Sequence, residues 1–482
     1  MADITWNGTD GVYGTPGNWI GNTLPGGSDN AHFGSTGSET VTNTSIVSVG
    51  AFEFDVSGYT IIMAGSFEFD FDGVGVAVNN GGATVEAINQ AYIEFKNNSD
   101  GGTARYVIDT GGTINFANTA GPLGNNIVHV GSLEGDATGS IVLKNAAVWV
   151  GGNDLDTNYG GSIAYGLSRG LSHPTGSLVK VGNGTLSLSG LNRGVPITIA
   201  SGTLELASAG STGAPSVTFA PQAPSPPLAT LAIDGPAIDN GHFTTPIDSI
   251  GQGDVLDFRS LRFVPDATAV TTTATDHGRL PDTLTVTNGS STIMIDHLGA
   301  LYTRFAALSD DNGGTDVAPA IIETRANKTV DGNHHPLGQT SPNAGPDVIV
   351  AYGANDRIEG LGGDDTLVAR APGVRLIGGA GADTFVFDAL GASPSSEPDV
   401  VKDFHESQGD RIDLYGLFDA THGHPLAFIG SKSFHHYHLT HPGVVGMVRN
   451  AGGELQINLD HQFKTEFAIV VHGHVSAGDL IL

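Results

Sequence analysis

The chain has 482 residues, enough for several domains, and carries 50 acidic against 20 basic residues, a formal net charge of −30. Such a surplus excludes partners that need basic patches, so neither nucleic acid nor insertion into an anionic membrane is expected. There is no cysteine, which excludes disulfides and thiolate metal sites.

At 39% hydrophobic and 15% charged residues the composition is that of a folded protein, not a disordered one. Seventy glycines, together with abundant Thr, Asn, Val and Ile, point to short strands joined by tight turns, and long helical patterns are nearly absent. The fold class expected is all-β. Met1 to Asp10 is polar, without a basic segment or an apolar run, so no cleavable signal peptide is expected there. No apolar stretch approaches the roughly 20 residues of a spanning helix.

Residues 1–208 open on Trp6, Asn18-Trp19, Pro25 and Asp29, an aromatic group suited to capping the end of a stack. Strand-like runs follow at Ala51–Asp55, Tyr92–Phe95, Thr113–Phe116 and Ser140–Leu143. Rungs of a solenoid recur at spacings of this order, and a β-sandwich is the competing arrangement. The run Gly176-Ser-Leu-Val-Lys-Val-Gly182, Gly184-Thr-Leu-Ser-Leu-Ser-Gly190, Ile197-Thr-Ile199 and Gly202-Thr-Leu-Glu-Leu206 favours the solenoid. It resembles the passenger-associated repeat of autotransporter-like proteins, which implies one or two rungs of a right-handed parallel β-helix. Leu191-Asn-Arg-Gly194 replaces the family's usual Tyr-containing linker.

Residues 209–320 are expected to hold a Pro-rich linker, Ala214-Pro215 to Pro226-Pro227, and a small β module. Gly253-Asp-Val-Leu-Asp-Phe-Arg-Ser-Leu261 there is echoed by Gly409-Asp-Arg-Ile-Asp-Leu-Tyr-Gly-Leu417, as in an internal duplication. The turn Asp310-Asp-Asn-Gly-Gly-Thr-Asp316 reads as an acidic solvated loop, with a further cation site as the alternative. Residues 321–344 read as a linker.

Residues 345–398 repeat every nine positions. Against the template G-G-x-G-x-D-x-U-x, aspartates fall at Asp347, Asp356, Asp365 and Asp383, and the apolar slot U at Ile349, Ile358, Leu367, Leu376 and Phe385. Gly345, Gly360, Gly362, Gly363, Gly378, Gly379 and Gly381 occupy the turns. Six residues make a tight turn whose carbonyls face inward beside the carboxylate, and x-U-x makes a short strand with U in the core. Successive strands lie on opposite sheets, so each turn stacks on its second neighbour, and a Ca²⁺ ion with its 6–8 oxygen ligands sits between stacked turns. One side stacks Asp347, Asp365 and Asp383, with room for about two ions. The other sets Asp356 against Val374 and is expected to bind weakly or stay empty.

The nonapeptides resemble those of the RTX proteins. Pro398-Asp-Val-Val-Lys-Asp-Phe404, Gly409–Leu414 and the closing Ala477-Gly-Asp-Leu-Ile-Leu482 are similar to the serralysin-type cap. The resemblance implies that residues 399–482 form a β-rich cap carrying an uncleaved signal, read by a type I secretion apparatus of a Gram-negative bacterium. It also implies an extracellular or cell-surface location. The expected architecture is a right-handed parallel β-helix, then a calcium-binding parallel β-roll, then the cap, with Ca²⁺ triggering folding outside the cell.

Enzyme signatures are sparse. H-E-x-x-H is missing at His405-Glu-Ser-Gln-Gly409, and Gly166-Leu-Ser-Arg-Gly170 matches G-x-S-x-G without the strand-turn-helix setting that motif needs. Lys96, Arg105, Lys144, Arg169, Lys180 and Arg193 are scattered through the first segment. Ten of 18 histidines lie between His405 and His474; His435, His436, His438 and His441 cluster, with His436 and His438 expected on one strand face. A solvated surface outweighs a transition-metal site there. The function expected is a structural one: an adhesin, surface-layer or biofilm-matrix component that contacts carbohydrate, a cell-surface ligand or copies of itself. The alternative is a lyase or epimerase acting on a polysaccharide in the β-helix groove.

Overall fold

A computed structural model describes residues 2–166, 175–221, 228–265, 267–273, 282–302, 304–417, 424–441, 443–460 and 462–482. The chain is nearly all β, with parallel pairing dominant and one α-helix among the described residues. It divides into two compact units. The first comprises Met1–Ala220, Ala229–Asn240 and Thr244–Asp248, and the second Pro221–Leu228, Gly241–Phe243 and Ser249–Leu482.

The first unit is a parallel β-helix. One sheet runs through Asp3–Thr5, Asn30–Phe33, Val47–Phe54, Glu68–Val78, Tyr92–Asn97, Thr113–Thr119, Ser140–Val142 and Ser162–Ala164, each strand parallel to the next. A second passes through Thr60–Ala64, Thr84–Ile88, Arg105–Ile108 and Ser132–Gly135. A third stacks Ile127–Val130, Ala147–Val150, Ser177–Lys180, Ile197–Ile199 and Val217–Phe219. Because side chains alternate along a strand, one residue in two enters the core and stacks on its counterpart in the next rung. Phe71, Phe95 and Phe116 form such a ladder, with ring centroids 4.9 Å apart at each step. Trp6, Tyr13 and Trp19 meet edge to face at the N-terminal end, and the Trp19 indole N–H donates to the Tyr13 carbonyl at 2.8 Å. The strands of the passenger-like segment supply successive rungs, with Leu178 beside Ile197 and Leu186 beside Leu204.

Lys180 projects into this core and is 1% exposed. Its ammonium donates to the carbonyls of Val181, Gly182 and Ser201, so this one of the scattered cations ties two rungs from within.

In the second unit two parallel sheets face each other across a core of Ile349, Leu367, Phe385 and Ile412 on one side and Ile358, Leu376 and Val401 on the other, all fully buried. Every apolar slot of the nonapeptide lies in this core. The register step is eighteen residues, two repeats, because consecutive repeats alternate between sheets. The segment 321–344, read as a linker, carries two strands of the stack: Ile321–Glu323 pairs with Val348–Ala351, and Thr329–Val330 with Arg357–Gly362. The outer edge of Ile321–Glu323 is closed by the Gln339 side chain, which bonds both the N–H and the carbonyl of Ile322. At the other end Asp399–Val401 and Arg411–Asp413 add further rungs, and Leu480–Ile481 pairs with Arg411–Asp413.

His436 and His438 do not share a strand face. They lie on the helix Phe434–Thr440, which starts where the Ser433 side chain accepts the His436 N–H. His435 and His438 pack against Phe463, and His441 stacks on Tyr437.

Candidate metal centre

Stacking at an eighteen-residue step places the aspartates of alternate repeats in columns. In the first column the Asp347 N–H donates to Asp365 Oδ1 at 2.8 Å, the Asp365 N–H to Asp383 Oδ1 at 3.0 Å and the Asp383 N–H to Asp410 Oδ1 at 3.0 Å. One carboxylate oxygen per rung is therefore consumed in holding the stack. The fate of the other oxygen differs along the column.

Both ends are closed. Asp347 receives the Gln252 amide on Oδ1 and the Asn343 N–H on Oδ2, while Asp410 receives the His405 N–H on Oδ2. In the interior, Asp365 Oδ2 and Asp383 Oδ2 are buried and have no hydrogen-bond partner. A buried charged oxygen without a donor is costly unless a cation or proton supplies what is missing.

The glycines explain how these oxygens are accommodated. A Cβ on Gly360 would overlap Asp365 Oδ2 and lie 2.7 Å from the Gly378 carbonyl oxygen, and one on Gly378 would overlap Asp383 Oδ2. Carboxylate and carbonyl oxygens thus converge on space that a side chain would fill, the donor set that Ca²⁺ prefers. Gly363 and Gly381 pass so close to the Gly345 and Gly363 carbonyls that no Cβ fits, and Gly379 rides equally close over Leu361. Gly345 closes its turn by donating to Asn343 Oδ1, while Gly362 continues its strand beside Ala380.

The second column holds Asp356, Val374 and Asp399. Asp356 Oδ1 accepts the Lys328 N–H and Asp399 Oδ1 accepts the Val374 N–H, both at 2.7 Å. Asp356 Oδ2 and Asp399 Oδ2 are again buried without a partner. Val374 turns its side chain into the core, and Asp399 brings a carboxylate to the side that Val374 interrupts.

Burial is the main cause of the electrostatics. It pushes the Asp365 carboxyl up to about 9, with the nearby charges of Asp383 and Asp347 adding to the effect. Asp347 and Asp383 rise to about 7, Asp356 to about 6 and Asp399 to about 8, each chiefly through desolvation. A divalent cation would replace the protons these groups otherwise hold.

Asp399, Asp403 and Asp410 stand in the cap motifs of the sequence and not among its candidate ligands. Asp403 accepts the N–H groups of Gly378 and Gly379, fixing the turn beneath Asp383. The signal for two of them was present, since Asp399-Val400-Val401 and Asp410-Arg411-Ile412 repeat the D-x-U pattern. Inserted turn residues lengthen their steps to 25 and 27 residues and hide them from a nine-residue register.

Residues 340–482 match a family model described as peptidase M10 serralysin C terminal. The C-terminal region is serralysin-like, of the kind carried by secreted RTX proteins. The serralysin-like region takes in the first column from Asp347 to Asp410 and the cap, and covers under a third of the 482 residues. No curated protein matches the chain.

In the first unit one polar group spans three rungs. Lys96 Nζ lies 2.7 Å from Asp70, 3.1 Å from Glu94 and 3.6 Å from Glu68, and Glu94 also accepts the amides of Asn115 and Asn118. These three carboxylates are, among the described residues, the one trio whose oxygens lie within 4.8 Å of each other. The Lys96 ammonium already provides their counter-ion, so a metal would have to displace it. Arg105 is likewise paired, with its Nε 3.0 Å from Glu134. The turn 310–316 closes on itself through Asp310 Oδ1, which accepts the N–H groups of Asn312 and Gly314. From Leu167 onward the Gly166–Gly170 motif lies outside the described residues, as does Arg169.

Proposed function

We propose that this protein is a secreted, calcium-dependent structural protein, an adhesin, surface-layer or matrix component, whose roll closes when extracellular Ca²⁺ enters its stacked turns. The observation that carries the reading is the set of four buried, partnerless carboxylate oxygens on Asp356, Asp365, Asp383 and Asp399. Without cations these columns bring carboxylates together in a low-dielectric interior, which opposes closure; with cations, binding free energy becomes folding free energy. A serralysin-like C-terminal region supports export before folding.

The structural role is favoured because Lys96 and Arg105, the β-helix cations that stand beside carboxylates of neighbouring rungs, are both ion-paired. A polysaccharide-modifying enzyme needs a cation free to hold a substrate carboxylate. Lys96 is committed to three carboxylates and Arg105 to Glu134.

The deciding experiment is a calcium titration followed by circular dichroism and size-exclusion chromatography, together with adhesion of the protein to polysaccharide-coated surfaces. Compaction and a rise in thermal midpoint at millimolar Ca²⁺ are expected. A far-UV spectrum and midpoint indifferent to Ca²⁺ would overturn the folding switch, and depolymerisation or epimerisation of an acidic polysaccharide would overturn the structural role.

A further inference from the structure

The chain has three tryptophans. Trp6 and Trp19 are buried in the N-terminal cap at 0% and 1% exposure, but Trp149 faces outward, since its strand neighbours Val148 and Val150 fill the core. Trp149 is of intermediate exposure, so part of its indole, with its apolar ring and polar N–H, reaches solvent on the wall of the solenoid.

Its surroundings are ordered. His129 stands directly beside Trp149 on the preceding rung, with ring centroids 6.1 Å apart, and Val179 and Thr198 follow on the next two rungs. The His129 ring is held by Asp100, whose Oδ2 lies 2.9 Å from Nδ1 and whose Oδ1 accepts the His129 and Gly101 N–H groups. Nδ1 is therefore engaged and Nε2 is the nitrogen left for a ligand, on a side chain 47% exposed.

We propose that the outward strip His129–Trp149–Val179–Thr198, anchored by Asp100, is a binding site for a neutral polysaccharide. A pyranose has an apolar C–H face and a rim of hydroxyls. Trp149 and Val179 match the face, while His129 Nε2 and the Thr198 hydroxyl match the rim. Adjacent parallel strands lie about 4.8 Å apart, so the four side chains span roughly 14 Å and suit a stretch of polymer. A chain of net charge −30, with Asp100 at the head of the strip, disfavours polyuronates and other acidic glycans. This proposal rests on the reading of the protein as a carbohydrate-contacting structural component and names the surface that makes the contact.

The test uses the full chain in millimolar Ca²⁺ and tryptophan emission, in which the acrylamide-quenchable fraction belongs to Trp149. Cellohexaose, maltohexaose and chitohexaose are titrated as neutral probes, with hexagalacturonate as the charged control. A saturable emission change with at least one neutral hexasaccharide is expected. By calorimetry, Trp149→Ala should abolish that binding, His129→Ala weaken it about tenfold and Trp149→Phe retain most of it, all with unchanged far-UV spectra. Absence of binding by all three neutral probes, equal binding of hexagalacturonate, or wild-type affinity in Trp149→Ala would each overturn the proposal. Adhesion to polysaccharide-coated surfaces separates the two levels. If Trp149→Ala adheres as well as wild type, the strip is wrong and the structural reading stands; if wild type does not adhere, the reading fails too.

Discussion

The backbone N–H of Asp347 donates to Oδ1 of Asp365 at 2.8 Å across eighteen residues of chain. The bond makes one oxygen of each carboxylate structural and leaves the other to face the space between turns, so equivalent positions in the repeat acquire different chemistry from what lies above and below them.

Asp365→Asn and Asp383→Asn should each raise the calcium midpoint for folding about tenfold or more, because each removes a charged oxygen that has no other partner. Asp347→Asn should shift it much less, since Gln252 and Asn343 already occupy both Asp347 oxygens. Calcium titrations followed by circular dichroism rank the three, and an Asp347 effect equal to that of Asp365 would refute the closed-end description.

Metal-free stability should fall as pH rises. The folded-state values of Asp356, Asp347, Asp383, Asp399 and Asp365 lie between about 6 and about 9, above the ordinary carboxylate value. Groups raised in this way favour the folded state most below their unfolded value near 3.8 and lose that contribution as pH climbs through the folded values. In chelator, thermal midpoints should therefore decline from about pH 5 to pH 9. In millimolar Ca²⁺ the decline should vanish or reverse, because the ion binds the deprotonated form. A metal-free midpoint that rises over this window would contradict the assignment.

Leu361 stands where the repeat wants glycine, at φ 81°, one rung before Gly379 at φ 108°. A left-handed conformation costs a branched residue about 1–2 kcal/mol, and glycine loses part of that gain through unfolded-state entropy. Leu361→Gly should therefore stabilise the Ca²⁺-loaded roll by about 0.5–1 kcal/mol, readable by chemical denaturation. Loss of stability would mean that the exposed leucine side chain has a packing role.

Arg370 occupies a turn whose counterparts eighteen residues either way are Tyr352 and Asp388. Its Nε lies 2.9 Å from Asp388, Nη1 donates to Tyr352 and Nη2 to the Ala307 carbonyl, with the Arg and Asp side chains 9% and 2% exposed. Arg370→Met leaves Asp388 charged and buried and should cost about 3–5 kcal/mol, whereas adding Asp388→Leu should recover much of the loss. A loss that persists undiminished in the double variant would locate the effect in the Ala307 contact.

The all-β class, the two-sheet roll and its core followed from local pattern. A nine-residue period with one apolar slot dictates strand length, facing and turn, and so sends Ile349, Ile358, Leu367, Leu376 and Phe385 to the core. What pattern could not supply was the partner of each carboxylate. Gln252 reaches Asp347 from 95 residues away, and Asp399 stands under Val374 across an irregular turn. The orientation of Trp149 likewise rests on which of two alternating faces its rung turns inward. A period encodes which residues can stack; the distant segments that cap, interrupt or neutralise the stack decide which oxygens stay open, because burial and hydrogen bonding depend on neighbours that only folding brings into contact.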